Sequence, residues 1–220
     1  MIESQFYHED VQCPVCFYEE PITKWTVINA ATDPDLKDRL LRKQIHQQIC
    51  SNCGHLYVIA QPLLYLDPAN RLILYAHPDL SASRIPDELV AELPVLGGWI
   101  MRLVGDANLL IEKIHINDHH CDDRIMELVK LAVLRQGSQL GAGQADAPVM
   151  ANLFFLTAND AVMRFMVMDE DQSWYSLDLD TQIYLNTEQL VQVYLDETSE
   201  GWQIVGRELA EAWLRRLAEA

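Results

Sequence analysis

Two Cys-x-x-Cys pairs, Cys13-Pro14-Val15-Cys16 and Cys50-Ser51-Asn52-Cys53-Gly54, restrict this chain more than any other stretch. Each pair forms a tight turn that sends two sulfurs the same way. Four sulfurs from two such turns suit the tetrahedral preference of one zinc ion. The expected ligands are Cys13, Cys16, Cys50 and Cys53, with an iron centre on the same ligands as the alternative. A four-thiolate zinc has no open coordination position, so its expected role is structural, worth about 10–16 kcal/mol of apparent binding free energy in small zinc modules. Gly54 suits the left-handed backbone such a turn uses, whereas Phe17 stands at the matching place after the first pair and predicts a less regular turn.

The segment between the pairs reads as a strand and a helix. Ile22, Thr23, Trp25, Thr26, Val27 and Ile28 favour extended backbone. Asp33-Pro34 then announces a helix, with Asp33 as N-cap and Pro34 in its first turn, and Leu36, Leu40, Leu41 and Ile45 recur at helical spacing. Beyond Cys53, strand-like runs cover 55–59, 63–66 and 71–75, with Asp67-Pro68-Ala69-Asn70 turning the chain between the last two. Residues 1–80 are therefore expected to form a zinc-ribbon-like β module with an inserted helix.

Residues 81–220 carry a different pattern, expected as a second, α+β region. Pro86 to Leu93 reads as a short helix, Trp99 to Val104 as a resumed helix, and Asn108 to Ile116 as a further one. Asp122 to Arg135 has acids at its start, Gly137 just beyond its end, and apolar residues around most of its circumference, which predicts a buried helix. Gln136 to Pro148 lacks periodicity and reads as a linker-like loop. Runs at 152–156, 162–168 and 174–177 predict an antiparallel meander, followed by a capped helix over Thr187–Leu195, a strand at 202–205 and a closing helix from Arg207. The fold class is α+β: the ribbon module, a helical segment, then a small antiparallel sheet with helices.

The formal charge of -17 narrows the partners. Four thiolates and one zinc take it to about -19, a field that repels nucleic acid and anionic membranes. Acidity concentrates late: between Gln136 and Gly206 eleven acids face one base, Arg164. Five cysteines in two close pairs plus Cys121 do not form a secreted disulfide framework, and the first residues show no signal-peptide pattern. No apolar run is long enough to span a bilayer. The expected compartment is a reducing cytoplasm.

These residues together resemble the CpXC family, named for two cysteine pairs with proline after the first cysteine. The resemblance rests on Cys13-Pro14-Val15-Cys16, the Trp25–Asn29 strand, the Asp33-Pro34 helix start, Cys50-x-x-Cys53-Gly54 and Leu64-Tyr65-Leu66-Asp67. It covers roughly residues 10–80. Glu112-Lys113, Asp122-Asp123-Arg124 and the run from Glu127 to Lys130 are similar to its longer members. Ser51 replaces the second proline. The resemblance implies a metal-binding module with no assigned activity.

No catalytic set emerges. Gly137-Ser138-Gln139-Leu140-Gly141 is not a nucleophile elbow, and Gly141-Ala142-Gly143 lacks the third glycine of a dinucleotide fingerprint. Asp118-His119-His120-Cys121-Asp122-Asp123 holds six consecutive possible ligands, but neighbours in sequence point in different directions, and a capped helix start explains them. Asp169-Glu170-Asp171 reads as a charged turn between strands. The leading functional expectation is a zinc-stabilised cytoplasmic protein that binds other proteins. One alternative is an enzyme with its active site in residues 80–220 and the ribbon as scaffold. A weaker one is nucleic-acid binding through Lys37, Arg39, Arg42 and Lys43 on the 34–46 helix, against Asp35 and Asp38 beside them.

Overall fold

Leu63-Leu64-Tyr65-Leu66 and Leu72-Ile73-Leu74-Tyr75 are almost wholly apolar, and strands apolar on both faces must be covered on both. In the computed structural model, which describes residues 2–45, 47–80, 98–141, 150–195 and 201–219, every residue of these two strands is buried. They are the centre of a six-stranded mixed sheet. Its order is β1 (Gln5–Gln12), β2 (Glu19–Asn29), β5 (Leu63–Asp67), β6 (Leu72–Ala76), β7 (Ile100–Val104) and β11 (Trp202–Gln203). β1 runs antiparallel to β2, and β6 antiparallel to β5; the other pairings are parallel. Helix α1 (Pro34–Leu41) buries Leu36 and Leu40, and a separate hairpin joins β3 (Gln47–Ile49) to β4 (Leu56–Val58).

Two compact units divide the chain: Met1–Ile111 with Gly201–Gln203, and Glu112–Glu200 with Ile204–Ala220. The cut falls inside α2 (Ala107–Asp118). In the second unit, β8 (Met150–Ala158), β9 (Val162–Asp169) and β10 (Trp174–Asp180) form the expected antiparallel meander. One face of it shares a core with α3 (Asp123–Gly141), α4 (Gln182–Leu195) and α5 (Arg207–Glu219), in which Met126, Val129, Phe155, Phe165, Val191 and Ala210 are buried together. The mixed architecture is the expected α+β class.

Several local expectations are corrected. Residues 100–104 are a strand rather than a helix, because β6 pairs along the whole of β7, from Leu72 with Ile100 to Ala76 with Val104; an available ladder overrides weak helical propensity. Helix α3 runs on to Gly141 through the first part of the expected loop. Helix α4 starts at Gln182, where Asp180 Oδ1 accepts the Gln182 N–H at 2.8 Å. Thr187 is thus interior, its hydroxyl donating to the Ile183 carbonyl at 2.8 Å. Asp33 stands before α1 but makes no side-chain cap; its carboxylate accepts from the Thr32 hydroxyl instead, at 2.8 Å. The helix expected at Pro86–Leu93, the boundary expected at 80/81 where it enters 81–97, and residues 142–148 of the expected loop lie outside the described residues. No helix among the described residues is long and apolar enough to cross a membrane.

Candidate metal centre

The two cysteine turns have the same hydrogen-bonding plan. Phe17 N–H donates to the Cys13 carbonyl at 3.0 Å and Cys13 N–H to Tyr18 at 2.9 Å; Gly54 N–H donates to Cys50 and Cys50 N–H to His55, both at 2.9 Å. Phe17 takes φ +59 where Gly54 takes φ +71. The first turn is therefore not the less regular one. It is the same turn, made with a residue for which left-handed backbone costs about 1–2 kcal/mol. That strain needs a compensating interaction, and a metal shared by the two turns would supply one.

Four sulfurs converge between the turns. Cys13 Sγ lies 3.8 Å from Cys53 Sγ, Cys16 Sγ lies 3.6 Å from Cys50 Sγ, and all four fall within 4.8 Å of one another. Ligands at about 2.3 Å from a tetrahedral zinc stand about 3.8 Å apart. The residues fit a metal ion. Cys13 and Cys50 are buried with Tyr57, and Val11 and Ile59 pack around them.

The electrostatics of the cluster favour a cation. The Asn52 amide, 3.6 Å from Cys16 Sγ, and the Tyr18 backbone N–H donate to that sulfur and pull its pKa down to about 6. Burial pushes Cys50 up. The His55 N–H favours the Cys53 thiolate, but Cys16, burial, Cys50 and Cys13 outweigh it and push Cys53 up to about 12. Thiolates this close suppress one another, and a divalent cation at their centre is what allows all four to ionise. Glu20, on β2, accepts the Ser51 N–H at 3.3 Å and ties the second turn to the long strand.

The other sequence cluster does not converge. Asp118 ends α2, and Asp122 caps α3 by accepting the Arg124 N–H at 2.8 Å. His119 is bound at both ring nitrogens, to the His115 carbonyl at 2.8 Å and the Thr157 hydroxyl at 2.9 Å. Asp123 turns inward to Lys113 at 3.1 Å. Burial raises the Cys121 thiol to about 11, the opposite of an activated nucleophile. Among the described residues, the four-cysteine cluster is the group of His, Cys, Asp and Glu side chains placed to share a metal. The helix expected over 34–46 ends at Leu41, so Arg42 and Lys43, the latter at φ +62, lie beyond it, and Lys37 already pairs with buried Asp67 at 3.1 Å. A pocket of about 430 Å³ in the first unit is lined in part by Lys43, His77 and Asp106, and by none of His115, His119 and His120. Two of its polar groups have structural work: Asp106 caps α2 through the Asn108 and Leu109 N–H groups, and His77 Nδ1 lies 2.6 Å from the Asp79 carbonyl.

Sequence reasoning missed a buried charge network in the second unit. Lys130 Nζ lies 2.9 Å from Glu112 and 3.1 Å from Glu127; Lys113 Nζ lies 3.1 Å from both Glu127 and Asp123. Burial disfavours the Lys113 ammonium, yet Asp123, Glu127 and Glu112 hold its pKa above the ordinary lysine value. Burial likewise works against Glu127, and Lys113 and Lys130 overcome it to keep its pKa low. At Glu112 burial wins over Lys130 and raises the pKa. Glu112 also accepts the Phe155 N–H at 2.8 Å, so a buried carboxylate covers part of the edge of β8. The available signal was Glu112-Lys113 and Glu127-x-x-Lys130 on helices otherwise apolar nearly all round.

No curated protein and no solved structure matches the chain. A family model described as CpXC protein matches residues 11–130, more than half of the chain. The match takes in all four clustered cysteines, Asp67 with Lys37, and all five members of the buried network, ending on Lys130. On that match and on the cysteine geometry at its start, the chain belongs to the CpXC family.

Proposed function

We propose that this protein is a zinc-stabilised interaction module of the reducing cytoplasm, whose ribbon docks a partner protein. The observation that carries the proposal is an apolar face beside the closed metal site. Ile49 pairs with Leu56 and Gln47 with Val58, so Ile49, Leu56 and Val58 share one side of the β3–β4 hairpin while Tyr57 goes into the core. The three are 63, 51 and 68% exposed, and Val15 and Phe17 of the facing turn are 57 and 68% exposed. Large side chains held out on a rigid, metal-pinned surface are what protein interfaces use. A site with four sulfurs on one ion leaves no position for substrate, so the metal serves the scaffold. Five cysteines arranged as two close pairs plus one suit a reducing compartment better than a secreted disulfide framework.

The test is co-purification from native cells with wild type and with Ile49→Asp/Leu56→Asp, both checked for one bound metal per chain. A partner retained by wild type and lost by the loaded variant is the expected result. An unchanged set of bound proteins would sink the proposal.

A further inference from the structure

Only one face of the β8–β9–β10 sheet lies in the shared core with the helices. Along β9, Met163, Phe165 and Val167 point into that core, which sends Arg164, Met166 and Met168 to the opposite face. The register places Met168 between Asn152 and Trp174, Met166 between Phe154 and Ser176, and Arg164 between Thr157 and Asp178. Phe154 and Trp174 stack across the sheet with ring centroids 5.8 Å apart, and Trp174 is 47% exposed. A phenyl ring, an indole and two thioethers thus share one strip of that outer face, the indole exposed and the other three half-buried. Methionine left partly open to water adapts to many apolar partners.

The charges around this strip share one sign. Glu170 and Asp171 lie at the β9–β10 turn, at one end; Asp178, Asp180 and Asp160 lie towards the other. The meander's one base, Arg164, is held by Asp178 through two contacts of 2.7 Å. A second copy of this chain would bring the same acids against themselves, so the strip is built against self-association.

We propose that this face is the docking site for a cationic amphipathic helix of a partner protein, its apolar side on Met166, Met168, Phe154 and Trp174 and its basic residues on the acids at both ends. The dimensions agree. About six residues of strand separate the two groups of acids, on the order of 20 Å, which a helix of about 14 residues spans. The site lies in the second unit and stands independently of the ribbon proposal.

The test uses the full zinc-loaded chain and fluorescein-labelled model peptides: an 18-residue amphipathic peptide of leucine and lysine, its leucine–glutamate counterpart, and a scrambled lysine peptide. Fluorescence anisotropy should show saturable, salt-sensitive binding of the amphipathic lysine peptide, at least about tenfold weaker binding of the scrambled one, and none of the acidic one. Met166→Gln/Met168→Gln should weaken binding by about tenfold or more through lost apolar contact, with the melting temperature unchanged. Trp174→Phe should remove most of the peptide-induced change in tryptophan emission. Binding that ignores both the methionine substitutions and the scrambling would overturn the proposal, since only a diffuse acidic surface would then be at work. So would sedimentation showing that the chain pairs with itself and that the methionine variant abolishes the pairing.

Discussion

Replacing Lys130 with methionine tests the buried network where it is most exposed to argument. The change keeps an apolar stem of similar length and removes one ammonium, 9% exposed, that lies 2.9 Å from Glu112 and 3.1 Å from Glu127. Glu127 retains Lys113 at 3.1 Å, whereas Glu112, 1% exposed, keeps only the neutral Phe155 N–H among the close contacts described above. Breaking a buried pair from one side costs about 3–5 kcal/mol, because the remaining charge is stranded. Glu112 can limit that cost by taking a proton. Its folded pKa is raised already, and loss of Lys130 raises it further. A carboxyl with a raised folded pKa contributes stability that is full below its unfolded value and is lost as pH rises through the folded value. The deficit of Lys130→Met against wild type should therefore be small at pH 5 and grow to about 3–5 kcal/mol by pH 8. Urea unfolding followed by circular dichroism at four pH values measures it. Adding Glu112→Gln should recover much of the loss at pH 8, since the amide oxygen still accepts the Phe155 N–H and carries no charge. A deficit under about 1 kcal/mol at pH 8, or one flat across pH, would refute the reasoning.

Other expectations follow from the same geometry. Metal analysis should find one zinc per chain, and Cys16→Ser should lower that content and destabilise the first 80 residues; visible absorption from a thiolate–iron centre would reassign the metal. Gly54→Ala places Cβ in open space, so its cost is that of φ +71 alone, about 1 kcal/mol by chemical denaturation. Asp67→Asn weakens the contact with Lys37 and should cost about 1.5–3 kcal/mol. Burial would raise the Asp67 pKa, but Lys37 and Asn70 hold it below the usual range, so its contribution is full above the unfolded pKa and lost as pH falls through the folded one. Wild type should accordingly lose its advantage over Asp67→Asn under acid, and an advantage that persists below pH 2 would count against the pairing.

Legibility in the sequence followed the range of the interaction concerned. The four clustered cysteines were readable because each turn is local: Cys-x-x-Cys sets two sulfurs within three residues, whatever the rest of the chain does. The meander and α3 were readable from periodicity, a property of one element on its own. Local rules misplaced the start of α4, where Asp180 capped the helix ahead of Thr187, and made a helix of 100–104, whose strand state depends on β6, some thirty residues earlier. Phe17 was misjudged for a similar reason. Its side chain disfavours the turn, yet Phe17 takes φ +59 with the same hydrogen bonds that Gly54 makes.

By itself, the sequence determined that two paired-cysteine turns exist, which residues form them, and that the second half is acidic. Those properties belong to side-chain chemistry and short-range spacing. The tertiary structure alone decided that the four sulfurs meet within 4.8 Å, that five charged groups share one buried site, and that Met166, Met168, Phe154 and Trp174 share one face of the second sheet. Each depends on elements far apart in sequence arriving at one place, and the free energy of a buried charge is set by the neighbours that arrive with it.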